Sequence, residues 1–430
     1  MKTRIAFTSL LFVVLAGCQG LLDVNNPNNL LEADLNGDPN TATGIVNGAN
    51  GTVVQGIGYV LAPYETATDE VYWIGSRDAW VQLDKGGVSD YNNEFTDQAW
   101  PYITEGRYMA DKAVTLLEGW DNNGVNSRLS NRLDLARAYL YAGLVRIFIA
   151  ETFADFVFSD KTTLGMPFGE SNLFTLCDQA VTLLGKGLTI AQTGSTAAHI
   201  DLQRKILGVR ARAYHTKAMR QKLLPGHTVP ANPYVSDVNA FNDATAALAV
   251  MGGATSDFKW KIDYFSVVLF NEFAWETIGR SELQLERIPN DPILGAADTR
   301  MRADSTDFKN RTAYSDRYSP LTMISAREMR LIQAEYYLAQ AIVDSTNARA
   351  RLNEIRALNS LTPIAVTNDI FAAFVHERRA GTYLQGRRLL DMYRFNIKDT
   401  RWVSTSEAYT LPGTLLPITI IERRANPNVQ

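Results

Sequence analysis

From residue 97 onward the chain repeats apolar residues at three-to-four spacing, and that period commits most of its length to packed helices. Leu129, Leu133, Ala136, Leu140, Leu144 and Ile147 mark one face over five turns. Leu173, Leu176, Ala180, Leu183, Leu184 and Leu188 mark another, and 199–222 continues in the same way. Ser319 or Ser325 begins a further helix with Met329, Ile332, Tyr336 and Ala339 on one face. The turn Asp344-Ser345-Thr346-Asn347 leads to Ala348, Leu352 and Ile355, and Asn368 is placed to cap a helix through Phe371, Phe374 and Val375. Short turns pair 97–119 with 128–152, 172–192 with 199–223, and 325–343 with 347–359. With 430 residues the chain is long enough to bury a large core.

The first residues read as an address and an anchor. Lys2 and Arg4 precede an uncharged, mostly apolar run, 5–16, which is too short to span a bilayer. It ends Leu15-Ala16-Gly17-Cys18, which resembles a bacterial lipobox. Residues 1–17 are thus expected to be a lipoprotein signal peptide, with Cys18 carrying the lipid. Two or three acyl chains hold a membrane firmly, at ~0.8 kcal/mol for each buried CH₂. An ordinary signal peptide with a chance cysteine is the alternative. If Cys18 is lipidated, Cys177 is alone and no intramolecular disulfide forms; its apolar helical setting predicts a buried, inert thiol. Residues 18–40, rich in Asn, Asp, Gly and Pro, read as a tether and turns. Asp34 to Asp38 begins like a calcium loop, but Pro39 and Ile45 stand where glycine and glutamate are needed.

Charge and motifs exclude several classes. The net charge of −4 argues against a nucleic-acid binder. Residues 19–100 hold 12 acidic and 2 basic side chains, an asymmetry that solvated faces or a docking surface would explain. His199, His215, His227 and His376 lack metal spacing. Gly56-Ile57-Gly58 lacks the third glycine of a dinucleotide fingerprint, and no phosphate-binding or nucleophile-elbow motif occurs. No metal, cofactor or catalytic residue is expected.

Binding chemistry is better represented. An aromatic ring covers the apolar face of a sugar while amide and charged groups bond its hydroxyls. Residues 72–91 offer Trp73, Trp80 and Tyr91 with Arg77 and Asp78; residues 260–275 offer Tyr264 and Trp275. These seven are the candidate ligand residues, and core packing is the alternative for each ring. Because Tyr72 and Trp73 are adjacent, they point opposite ways in an extended chain, so one packs inward. Arg378, Arg379, Arg387, Arg388 and Asp391 are expected to form structural ion pairs, with an anionic-ligand site as the alternative.

Several stretches, in order, resemble the SusD/RagB family of outer-membrane lipoproteins. After the lipobox comes Leu22-Asp23-Val24-Asn25-Asn26-Pro27, then Thr68-Asp69-Glu70 ahead of Trp100-Pro101-Tyr102. Met329 to Leu338 is similar to the family's arginine- and alanine-glutamate-bearing helix. Glu377-Arg378-Arg379, then Gly386-Arg387-Arg388-Leu389-Leu390-Asp391-Met392-Tyr393-Arg394, and Leu416-Pro417-Ile418 with Asn426-Pro427-Asn428 complete the set. Gln385 departs from the family's usual glutamate before Gly386 and removes one possible ion pair. The resemblance implies a mainly α fold of irregular tetratricopeptide-like helix-pair repeats under a loop-rich ligand-binding face. The expected organisation is a single domain over 41–430, with long loops at 53–96 and 225–322. The resemblance also implies a non-enzymatic receptor on the outer membrane that faces the exterior. It would bind oligosaccharides or peptides and deliver them to a SusC-like TonB-dependent transporter. A lipid-anchored glycoside hydrolase and a helix-repeat scaffold that binds only protein are the alternatives.

Overall fold

The computed structural model describes residues 37–160, 162–266 and 268–429. Cys18, the signal peptide and most of the tether lie outside the described residues. The long helices are α1 (Ala42–Thr66), α3 (Glu94–Asp121), α4 (Leu133–Thr152), α5 (Thr175–Ala191), α6 (Ala197–Leu223), α7 (Val238–Met251), α9 (Ala326–Leu338), α10 (Ser345–Ala357) and α11 (Ile370–Gly381). Shorter ones are α2 (Ala79–Asp84), α8 (Thr299–Phe308) and α12 (Arg388–Arg394). Each long helix packs on the next: α1 on α3, α3 on α4, α4 on α5, α5 on α6, α6 on α7, α7 on α9, and α9 on α10 and α11. The fold is mainly α, in helix pairs, as expected. Strands are short: β1 (Val71–Trp73), β2 (Lys259–Ile262), β3 (Leu283–Leu285) and β4 (Leu321–Ser325), with β1 antiparallel to β3 and β2 antiparallel to β4. No described helix is long and apolar enough to cross a membrane.

Caps set the helix starts. Asn93 accepts from the Phe95 and Thr96 N–H groups (3.1 and 3.3 Å), and Asp237 from Ala240 (2.8 Å). Of the two serines considered, Ser325 caps α9, accepting from Glu328 N–H at 3.1 Å. The cap of α11 is Asp369, not Asn368; the Asn368 side chain instead accepts from Ala365 in the preceding turn.

The expected loop at 53–96 is corrected over its first part, because α1 runs to Thr66. The glycines of α1 serve packing. A Cβ on Gly56 would lie 2.8 Å from the Tyr102 carbonyl oxygen, and one on Gly106 would lie 2.9 Å from that of Thr52. The two helices therefore meet backbone to backbone, glycine against the opposing main chain in both directions. The expected loop at 225–322 is likewise interrupted by α7 and α8.

Beneath the helices lies a lattice of buried ions. Glu151 of α4 accepts from Arg212 of α6 at 2.8 Å and from Arg387 at 3.1 Å. Asp391 of α12 accepts from Arg378 and Arg394, both at 2.8 Å. Arg394 also binds Glu335 of α9, whose other oxygen meets His215 of α6 at 2.8 Å. Burial would raise the Glu335 carboxyl, but Arg394 and His215 hold it well below the usual carboxylate range. The C-terminal arginine motif is thus structural at Arg378 and Arg387. Buried Gln385 leaves its side-chain amide oxygen unpartnered, while its backbone carbonyl accepts from Arg387 at 2.6 Å.

The helix crossing gives a paired test. Gly56→Ala forces a methyl into an unyielding backbone and should destabilise the protein by about 2–3 kcal/mol. Gly48→Ala, on the exposed side of the same helix with nothing within 4 Å of the new atom, should stabilise by about 0.5–1 kcal/mol. Chemical denaturation checks both signs.

Candidate functional site

The β1–β3 pairing joins two zones that sequence places about two hundred residues apart. Tyr72 stands opposite Gln284 and Trp73 opposite Leu283. The turn beyond β1 is organised by a single residue, Glu282. Its backbone carbonyl accepts from the N–H groups of Ile74 (2.9 Å) and Gly75 (3.2 Å). Its carboxylate accepts from those of Ser76 (2.9 Å) and Arg77 (3.1 Å), from the Ser76 hydroxyl (3.2 Å) and from the Trp73 indole (3.3 Å). Only glycine fits at 75, since a Cβ there would sit 2.0 Å from the carboxylate oxygen. Burial pushes the Glu282 carboxyl up, but these donors outweigh it and keep it below its ordinary value.

Trp73 and Arg77 are half-buried, and Asp78 is exposed at the start of α2. Arg77 reaches Glu276 at 3.0 Å and Glu94 at 3.2 Å, and its guanidinium lies 4.2 Å above the Phe95 ring. Glu276 also binds Arg280, one turn on, and the Glu282 N–H donates to its carbonyl at 2.9 Å. Trp275, half-buried at the head of a π-helical turn (Trp275–Gly279), has the Arg317 guanidinium 3.8 Å from its ring centre. Glu282 ties Trp73 to the Arg77 backbone, Glu276 ties Arg77 to Arg280, and the Arg280 guanidinium lies 5.6 Å from the Trp275 ring centre, so Trp73, Arg77 and Trp275 are joined in one run of indoles, guanidiniums and carboxylates, with Asp78 next to Arg77 in the chain.

Two expected ligand rings are corrected to core. Trp80 is 1% exposed and stacks on Phe95 at 3.6 Å; Tyr264 is 4% exposed and donates its hydroxyl to the Val54 carbonyl at 2.8 Å. Trp80 faces inward on a one-and-a-half-turn helix, where it supports Phe95 and, through that ring, Arg77. Tyr91 is exposed but lies against the C-terminal region, with Arg423 over its ring and its carbonyl accepting from Ile420. Of the adjacent pair, Tyr72 lies beneath Arg401 on the other side of the strand from Trp73.

Sequence reasoning missed Glu282, Glu272, Arg280 and Arg317. The Glu272–Glu276–Arg280 spacing, one helical turn at each step, was the signal available for Glu272 and Arg280. Burial and the neighbouring Glu276 push the Glu272 carboxyl up to about 7. Tyr59, stacked on Tyr102 at 3.7 Å, closes the inner side of this cluster.

Elsewhere, Cys177 is buried and its thiol is pushed up to about 12 by burial, as fits an inert residue. Asp291, Asp298 and His376 bring ligand-type atoms within 4.8 Å of one another. Both carboxylates are already engaged by arginines: Asp298 by Arg300 (2.6 Å) and Asp291 by Arg356 (2.9 Å). That donor set suits an internal ion-pair cluster rather than a cation.

No protein-family model and no curated protein matches the sequence. Solved structures do match. A SusD homolog from Bacteroides thetaiotaomicron VPI-5482 superposes with a TM-score of 0.63 at 13% identity, covering 93% of this chain and 98% of that one. The chain has the SusD-like fold. Surface glycan-binding protein A from Bacteroides uniformis gives 0.57 at 12% identity, covering 90% and 98%. A laminarin-binding SusD-like protein gives 0.54 at 12%, again covering 90% and 98%. The SusD-like fold expected from the ordered motifs is therefore present over nearly the whole chain.

The Glu272 carboxyl yields a pH test. Its folded value lies above the usual glutamate value near 4.3, so the stability tied to its protonated form is complete below about pH 4.3 and is lost as pH rises through about 7. Glu272→Gln, which keeps the neutral shape, should therefore change Tm little at pH 5 and raise it by ~3 °C at pH 8 in thermal scans of both proteins.

Proposed function

We propose that this protein is a surface lipoprotein of the outer membrane that captures nutrient oligosaccharides without cleaving them and passes them to a TonB-dependent transporter. The observation that carries the reading is the patch around Trp73 and Trp275. Two half-exposed indoles are set in a rigid frame among Arg77, Asp78, Arg280 and Arg317. Each ring covering roughly 80 Å² of a sugar's apolar face contributes ~2 kcal/mol before ordering costs. Guanidiniums and carboxylates serve the hydroxyls. A few such contacts give an affinity strong enough to capture and weak enough to release.

The fold is shared with proteins described as laminarin-binding and surface glycan-binding, which favours a glycan over a peptide at this patch. The lipobox ending at Cys18 supports the anchor. In the Glu272–Glu276 pair, Glu276 is fully buried and bound by Arg77 and Arg280, a setting for holding the patch rather than for attacking a glycosidic bond.

Calorimetry against a panel of neutral oligosaccharides is expected to find a binder. Trp73→Ala and Trp275→Ala should each weaken it at least 10-fold with a Tm within about 2 °C of the parent. Release of reducing sugar from any of them would overturn the receptor reading. For the anchor, growth with a fatty-acid analogue should label the native protein and not Cys18→Ser; label on the variant would reject lipidation at this residue.

A further inference from the structure

A cleft of about 680 Å³ is lined by none of the residues of the Trp73–Trp275 patch. It lies between the turn around Tyr234, the segment 289–292, α11 and the residues that follow α12. Its walls are apolar and ring-shaped. Tyr234 sits 5.3 Å from Phe371 and 5.6 Å from Phe395, and Pro233 and Pro292 add surfaces that have no N–H to donate. Phe371 remains 38% exposed, although it is an aromatic residue on a helix that buries its other face.

One wall carries charge. Asp69, between α1 and β1, is gripped by Arg388 through Nε and Nη2 (2.6 and 2.8 Å) and by Arg379 through Nη1 (3.1 Å). Two guanidiniums share one carboxylate, so a positive charge is left over. Neighbouring Glu70, whose carboxyl burial and Glu65 push well above the usual range, accepts instead from the Leu384 N–H at 2.8 Å. Arg388 is 4% exposed, yet its Nη1 has no hydrogen-bond partner among the described residues, and neither has Nε of Arg379. Both atoms are closed to solvent, so what the cleft meets is the surplus charge and the part-exposed side chain of Arg379. The other ionisable groups lining the cleft are already paired, Arg394 with Glu335 and Asp391, and His376 with Asp298.

We propose that this cleft is a second binding site, which takes the free carboxylate end of an apolar peptide. The terminal carboxylate meets Arg379 and Arg388, and the last side chain lies among Tyr234, Phe371 and Phe395. A neutral oligosaccharide is the poorer fit, because apart from Asn290 and Asn396 the walls offer few groups for a ring of hydroxyls. Charge and shape select the same ligand: an acid at one end and an apolar body behind it.

The test is calorimetry on the full chain with a tripeptide ending in phenylalanine and with the same tripeptide amidated at its C-terminus. The acid should bind at least 10-fold more tightly than the amide. Phe371→Asp, on the exposed face of its helix, should weaken the acid at least 10-fold at unchanged Tm, and Arg379→Gln should erase the preference for acid over amide. Should Arg379→Gln fail to fold, the acid–amide comparison on the unaltered protein decides. Trp73→Ala and Trp275→Ala should leave tripeptide binding unchanged, so loss at one site is separable from loss at the other. Equal binding of acid and amide would overturn the proposal. So would absence of saturable binding at millimolar peptide, including the case in which residues upstream of 37 already fill the cleft, or binding of a uronic-acid oligomer in place of the peptide.

Discussion

The helix pairs are held in register by the buried ions that run from α4 and α6 to α9 and α12. Glu151, Glu335 and Asp391 each meet at least two basic side chains on separate elements. Taking such charges out of water is expensive, and a well-packed apolar substitute of equal volume is often as stable. What the ions add is directionality. A guanidinium fork meets a carboxylate in few orientations, whereas a leucine tolerates many. Helix pairs of unequal length and spacing have no repeated interface to align them. The fork geometry supplies that alignment here, and it seats α12 against α9 and, through Arg387, against α4, 236 residues before it.

From that frame the position of the aromatic patch follows. α1 can cross α3 closely because Gly56 and Gly106 remove the side chains between them. This leads the chain through Asp69, held by Arg379 and Arg388, directly into β1. β1 then finds β3, and Glu282 at the edge of β3 fixes the turn that carries Arg77 and Asp78. The two indoles of the patch thus depend on contacts far from them.

Much of this was legible in the sequence. The pairs α3–α4, α5–α6 and α9–α10 show plain three-to-four periods, because each buries one face. α1 was not legible: its five glycines between 44 and 58 look like turn residues, and only the backbone approach to α3 shows what they do. Trp73, Arg77, Asp78 and Trp275 could be picked out by residue type, but type does not tell a half-exposed ring from a buried one. Trp80 and Tyr264 went to the core for that reason, the first stacking on Phe95 and the second bonding a main-chain carbonyl. Glu282 was invisible because its partners are mostly backbone N–H groups, which leave no mark in the sequence.

Those partners have an evolutionary consequence. Glu282 grips the turn from Ile74 to Arg77 through main-chain atoms present whatever the residue, and the one strict requirement is the missing side chain at Gly75. The loop is thereby insulated from the identities at 74 and 78, whereas Arg77 also binds buried Glu276 through its side chain. Residues 74 and 78 are free to change by point mutation while the loop that presents them keeps its shape.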